Sequence, residues 1–175
     1  MKKILFLFAW LTATLVWSQN YPMNSANHNQ TIVTCAGTFT DDGGTGGNYS
    51  NGINNRVITF CTANPGELLR FNFTSFSTEN NYDVLEVFQG PLATGQPAAT
   101  YQGDIGAFIF MSNQPGGCVT FRFTSDGSVN RPGWSAGISC VIPCTPPTAA
   151  LVDNTTLDIC SSESVAPGDL TVQFD

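Results

Sequence analysis

The chain has 175 residues, of which 42% are hydrophobic and only 11% are charged, and its formal net charge is −7. This length suits one domain of ordinary size with additional segments. Asn, Thr, Ser and Gly must supply most of the polar surface, which is typical of β structure with turns. The surplus of acid argues against nucleic acids and anionic membranes as partners.

Residues 1–18 have the pattern of a cleaved signal peptide. Met1–Lys3 is basic, and Ile4–Val16 is a mostly apolar run that is too short to span a bilayer comfortably. Val16 and Ser18 lie at positions −3 and −1 of a cut before Gln19. An uncleaved N-terminal anchor is the alternative. Cleavage would remove both lysines and no acid, so four arginines would face thirteen acids and the net charge would become −9. We therefore expect a secreted or cell-surface protein without a transmembrane segment in the mature chain.

The exported part contains short segments of alternating apolar and polar residues, separated by turns. Strands spaced about 8–12 residues apart indicate an all-β sandwich. Residues 19–34 are expected to be a mostly flexible lead-in. Leu68–Gly90 is expected to form a hairpin, and the apolar run Ala107–Ser112 suits a central strand. The other predicted strands are Thr31–Cys35, Arg56–Thr62, Ala98–Tyr101, Cys118–Ser125 and Trp134–Val141.

The composition of the sequence changes at residue 143. The prolines of 143–147 predict a linker, and the residues beyond it contain further strand-like stretches. About thirty residues cannot close a second sandwich. We therefore predict that 143–175 is a linker followed by the start of an incomplete second β module, in a chain that continues further. The strand-like stretches are Thr148–Asp153, Thr156–Ile159 and Asp169–Asp175.

All six cysteines follow the signal peptide, and an even number in an exported chain favours disulfides. Zinc is disfavoured because there is no CxxC motif and the only histidine, His28, lies in the polar lead-in. If the last two strands form a hairpin centred near Val129, Cys118 and Cys140 face each other. The predicted pairs are Cys118–Cys140, then Cys35–Cys61 by proximity of the first two strands, and Cys144–Cys160 by elimination.

Three carboxylates stand on predicted loops. Glu79 and Asp83 lie between two strands, and Asp126 heads the loop after a later strand. Together with neighbouring serine and asparagine residues, they suit a hard cation that prefers oxygen ligands. The alternatives are three solvated acids, or an ion pair between Asp126 and Arg131.

Residues 35–142 resemble a CUB domain, which is an extracellular β-sandwich of jelly-roll type. Several of the family's motifs occur in order, and the pair Cys35 and Cys61 matches its first disulfide. The matching segments are G-N-Y-S at 47–50, F-x-x-F-x-x-E at 73–79, Y-D-x-L-E-V at 82–87 with Gly90, F-x-F-x-S-D-x-S at 121–128, and Gly133-Trp134 in place of G-F.

The resemblance implies a weak calcium site, with an affinity of about 10⁻⁴–10⁻³ M. Its ligands would be the carboxylates of Glu79, Asp83 and Asp126 and the backbone carbonyl of Ser128. It also implies that the site engages a basic side chain of a protein partner. The family's supporting tyrosine would fall near 53–54, where this sequence has Ile and Asn, and Asp41 or Asp42 could complete the shell.

Residues 146–175 resemble the start of a PKD-like or immunoglobulin-like repeat. Trp134 and Phe88 are expected to pack in the core, with exposed ligand platforms as the alternative. A glycosidase pair of Glu79 and Asp83 is conceivable, but a histidine triad or free cysteine nucleophile is not expected.

We therefore expect a non-catalytic, calcium-dependent adhesion or binding module that recognises an extracellular protein or glycan. The first alternative is an accessory domain of a larger exported enzyme, such as a protease. The second is a spacer whose acids serve only its solubility.

Overall fold

The computed structural model describes residues 19–143, which form ten β-strands and no helix. The signal peptide, the second β module and the Cys144–Cys160 pair lie outside these residues. The strands are β1 (Asn20–Pro22), β2 (Gln30–Val33), β3 (Thr38–Thr40), β4 (Arg56–Cys61), β5 (Leu68–Ser77), β6 (Val84–Gln89), β7 (Ala99–Tyr101), β8 (Phe108–Met111), β9 (Cys118–Thr124) and β10 (Gly133–Val141).

The strands form two five-stranded sheets, in the orders β1-β3-β10-β5-β8 and β2-β4-β9-β6-β7. Most neighbours are antiparallel, but β1 pairs with β3, and β2 with β4, in parallel. The predicted all-β sandwich is confirmed. Each of these two parallel pairs lies at one edge of its sheet.

Aromatic side chains from both sheets fill the core. Along β9, and along β5 as far as Phe73, every second side chain points inward, as the period of a strand requires. The inward residues include phenylalanines at 0–1% exposure. The rings of Phe71 and Phe121 meet edge to face across the two sheets, 4.8 Å apart. Burying a ring of this size stabilises the fold by about 2–3 kcal/mol. Trp134 is also buried in this core, as expected.

The segment Leu68–Gly90 is not a hairpin. β5 pairs with β10 and β8, whereas β6 pairs with β9 and β7 in the opposite sheet. The acidic loop therefore crosses from one sheet to the other. Alternation reveals which side of a strand faces the core but not which sheet holds the strand. The prediction that Ala107–Ser112 is a central strand is also wrong, because β8 is an edge strand and exposes Ile109 and Met111.

Residues 19–34 are not a flexible lead-in. They contain β1 and β2, and both Tyr21 and Met23 are buried. The ring of Tyr21 packs edge to face on Phe60 at 5.7 Å. Parallel pairing with β3 and β4 satisfies backbone groups of both strands. β2 overlaps the predicted strand Thr31–Cys35, whereas β1, with three residues, is not among the predicted strands.

Two of the predicted disulfides are wrong, because the structure pairs Cys35 with Cys140 and Cys61 with Cys118. The constant-sum argument fails because β9 and β10 lie in different sheets. Cys61 and Cys118 instead oppose each other on the paired strands β4 and β9. The bridges span 105 and 57 residues, so each should stabilise the domain by about 4–5 kcal/mol in the chain-entropy model.

Candidate functional site: a three-carboxylate cluster

The loops that follow β5 and β9 meet at one end of the sandwich, and the disulfides lie at the other. Both loops connect the two sheets, so their backbones lie side by side where the strands end. Asp83 closes the first loop at the start of β6, and its side chain is fully buried. Asp126 heads the second loop, and its N–H donates to Oδ1 of Asp83 at 2.8 Å. This bond ties the two loops together.

The first loop is held by its own backbone and by one threonine. The N–H of Asp83 donates to the carbonyl of Glu79 at 3.1 Å, and the hydroxyl of Thr78 donates to the carbonyl of Asp83 at 2.9 Å. Asn81 adopts a left-handed conformation with φ of 70°, which an asparagine tolerates better than most residues. The tight turn brings the side chains of Glu79 and Asp83 to the same side.

Tyr49 is the main supporting residue, and it was not predicted in this role. Its buried hydroxyl donates to Oδ2 of Asp83 and accepts the N–H of Glu79 at 3.0 Å. Burial raises the pKa of the Tyr49 hydroxyl well above its usual value, and the hydrogen bond to Asp83 raises it further. The phenol therefore stays protonated and donates. The supporting tyrosine expected near 53–54 is thus at 49, inside the matched G-N-Y-S segment.

The second loop fixes Asp126 through its backbone. Its carbonyl accepts the N–H of Gly52 at 2.5 Å, and its Oδ1 accepts the N–H of Ser128 at 2.9 Å. Ser125 accepts the N–H of Ile53 and donates to the loop before β4. Ser128 therefore lies beside the cluster, and the role of its carbonyl as a ligand stays a prediction.

Glu79, Asp83 and Asp126 each contribute a carboxylate oxygen to a group whose members lie within 4.8 Å of one another. Burial raises the pKa of Glu79, the charges of Asp126 and Asp83 raise it further, and Arg131 lowers it in part. Oε2 of Glu79 is buried and has no hydrogen-bond partner among the described residues. A buried carboxylate oxygen without a donor, facing two further carboxylates, fits a hard cation.

The other charged residues that the sequence suggested for this end do not join the cluster of the described residues. Within residues 19–143 Arg131 forms no ion pair with Asp126, so that predicted pair is wrong. Asp42 lies 3.4 Å from Arg56, and buried Asp41 accepts the backbone N–H groups of Gly43 and of residue 134. Neither aspartate belongs to the cluster, so the prediction that they complete the shell is not supported.

The second predicted core aromatic, Phe88, is buried on the outer side of its sheet, under the guanidinium of Arg122 at 4.8 Å from the ring centre. That guanidinium is held by Glu86 at 2.6 Å. Neither Phe88 nor Trp134 is an exposed platform.

No protein-family model matches the sequence. Among solved structures, the full extracellular region of zebrafish Gpr126/Adgrg6 superposes with a TM-score of 0.55 at 21% identity, over 67% of this chain and 15% of that chain. The CUB1-EGF-CUB2 domain of human MASP-1/3 superposes with a TM-score of 0.52 at 17% identity, over 65% of this chain and 42% of that chain.

These superpositions establish the fold, which is that of a CUB-like β-sandwich, and the predicted fold class is confirmed. The matched region spans less than half of each of those two longer chains. Residues 19–143 contain no helix that is long and apolar enough to cross a membrane.

Proposed function

We propose that this chain is an extracellular, non-catalytic binding module whose three-carboxylate cluster binds Ca²⁺. The observation that carries the proposal is the convergence of Glu79, Asp83 and Asp126, with Oε2 of Glu79 buried and without a donor. A calcium ion would supply the positive charge that these oxygens lack. The signal-peptide pattern and two disulfides support an oxidising, extracellular setting.

The residues of the cluster suit calcium better than other common metals. All side-chain ligands are carboxylates, which favour hard cations over zinc or copper. The cysteines of the described residues are joined in disulfides and offer no thiolate. Calcium also tolerates irregular geometry, whereas magnesium demands a near-ideal octahedron.

The charge of the filled site would favour a basic partner group. Three carboxylates and one divalent cation leave a single net negative charge at an exposed loop end. A lysine or arginine side chain of a protein partner could approach Glu79 and Asp126, which are both only partly buried. A glycan partner could bind instead by supplying hydroxyl oxygens to the metal. A second prediction is that the chain is an accessory domain of a larger exported enzyme.

Thermal unfolding of the exported chain in calcium and in EDTA tests the proposal. A ligand that binds only the folded state stabilises by RT ln(1 + [L]/Kd), so calcium at about tenfold excess over Kd should add about 1.4 kcal/mol and raise Tm by several degrees. Asp126→Asn should abolish the shift.

The matched control is Asp104→Asn, which removes an exposed acid outside the cluster and should keep the full calcium shift. Magnesium at the same concentration should stabilise less. Equal melting of the wild-type chain in calcium and in EDTA would show that the cluster is only a group of solvated acids. Equal loss of the shift in both variants would point to nonspecific screening of the net negative charge.

A further inference from the structure

The four edge strands of the sandwich are protected to different degrees. β1 and β7 have only three residues each, and β1 contains Pro22. The edge of β8 is covered by the side chain of Gln89, which donates to the carbonyl of Met111 and accepts the N–H of Asn113. Short strands, prolines and covering groups are the usual means by which proteins block edge pairing. β2 has four residues and carries no proline, charge or covering side chain.

The backbone of β2 offers unpaired groups to the open side. The N–H of Thr34 donates to the carbonyl of Cys61 on β4 at 3.1 Å. Because successive residues of a strand direct their backbone groups to opposite sides, Ile32 also faces β4. The N–H and C=O groups of Thr31 and Val33 therefore face away from the sheet, on the side where β2 has no neighbouring strand among residues 19–143.

A groove of about 440 Å³ adjoins this edge. It is lined by residues 19–21, 27 and 30–34, and its walls are the open edges of β1 and β2. The lining side chains are amides, hydroxyls, aliphatic groups and one tyrosine, and none is an acid or a base that is charged at neutral pH. Val33 adds an aliphatic side chain that is 63% exposed.

We propose that this edge is a second binding site, which takes an extended, uncharged peptide segment of a partner protein as an added strand beside β2. A peptide backbone supplies N–H and C=O groups at the spacing that the edge offers, whereas a glycan supplies only hydroxyl groups. The side chains that line the groove offer no counter-charge to a charged segment. The site uses none of the cluster residues, so it is independent of calcium and of the proposed function.

The experiment uses the ¹⁵N-labelled exported chain and a capped synthetic peptide of sequence QTIVT, which repeats residues 30–34 and is an uncharged, β-branched strand former. Addition of the peptide should give saturable shifts in the NMR spectrum, centred on Thr31 and Val33, and should slow amide exchange at these two residues about tenfold. EDTA should change neither result. Val33→Lys and Thr31→Pro should each abolish the shifts.

Leu92→Lys is the matched control, because Leu92 is exposed to the same degree, 65% against 63% for Val33, and lies outside the groove. It should leave peptide binding intact. The proposal is overturned if about 5 mM peptide leaves Thr31 and Val33 unchanged, since that limits Kd to the millimolar range or weaker. It is also overturned if protection rises with protein concentration alone, which would indicate a second copy, or if only neutral oligosaccharides produce the shifts.

Discussion

The hydroxyl of Tyr49 should matter more than any other single polar atom near the cluster. Tyr49→Phe keeps the ring, which packs edge to face on Phe123 at 5.1 Å, and removes only the oxygen. The buried carboxylate of Asp83 then loses a donor, and the N–H of Glu79 loses its acceptor. A hydrogen bond to a charged group is worth about 1.5–3 kcal/mol and a neutral one about 0.5–1.5 kcal/mol, so the free energy of unfolding should fall by about 2–4 kcal/mol.

Urea denaturation in EDTA measures this loss without any contribution from bound metal. The matched control is Tyr101→Phe, because the Tyr101 ring packs on Phe108 at 4.4 Å while its hydroxyl forms no hydrogen bond among the described residues. The control should change the free energy of unfolding by less than about 0.5 kcal/mol. If Tyr49→Phe is no more destabilising than Tyr101→Phe, the Tyr49 hydroxyl does not organise the two loops that hold the cluster.

Two further predictions concern the buried carboxylate of Asp41. Gly133→Ala should lower the free energy of unfolding by more than about 2 kcal/mol. The reason is that Gly133 has φ of +72° and an added Cβ would lie 2.0 Å from Oδ2 of Asp41. Gly137→Ala is the control, because its added Cβ meets open space, and it should lower the free energy of unfolding far less in the same urea titration. Burial raises the pKa of Asp41 from its ordinary value of 3.8 to about 6. Between these pH values the folded state binds more protons than the unfolded state, so the contribution of Asp41 to stability falls as the pH rises. The unfolding free energy of the wild-type chain minus that of Asp41→Asn should therefore decline from about pH 4 to about pH 6 and level off above about pH 7. A difference that does not vary with pH would contradict this prediction.

The strands that sequence predicts well are those in which burial imposes the pattern. In β5, buried Leu69, Phe71 and Phe73 alternate with Arg70 and Asn72, which are more exposed, and period 2 marks the strand without ambiguity. The same logic fails for β1 and β3. Each has only three residues, so neither is long enough for alternation to emerge from a background of polar and small side chains.

Pairings between distant strands are harder to predict than the strands themselves. The carboxylates 79, 83 and 126 were found because their acidic character is visible locally, and the structure brings them together. The disulfides were mispaired because their partners depend on which sheet each strand joins. Tyr49 was missed because its role depends on a contact with Asp83 across 34 residues. The local signal that could have found it is the tyrosine inside the matched turn at 47–50.

In the proposed calcium site, weak affinity for the ion and partner binding should go together. Asp83 is fixed by hydrogen bonds from Tyr49 and from the N–H of Asp126 without any bound ion. Ion binding should therefore reduce the conformational entropy mainly of the side chains of Glu79 and Asp126. Calcium takes six to eight oxygen ligands, so the proposed ligands, three carboxylates and the carbonyl of Ser128, would leave positions open. Water fills such positions at little gain in affinity. Oxygen atoms of a partner could replace those waters, so the proposed calcium site should bind its ion more tightly in the complex than in the free module, and by linkage calcium should tighten the complex by the same factor.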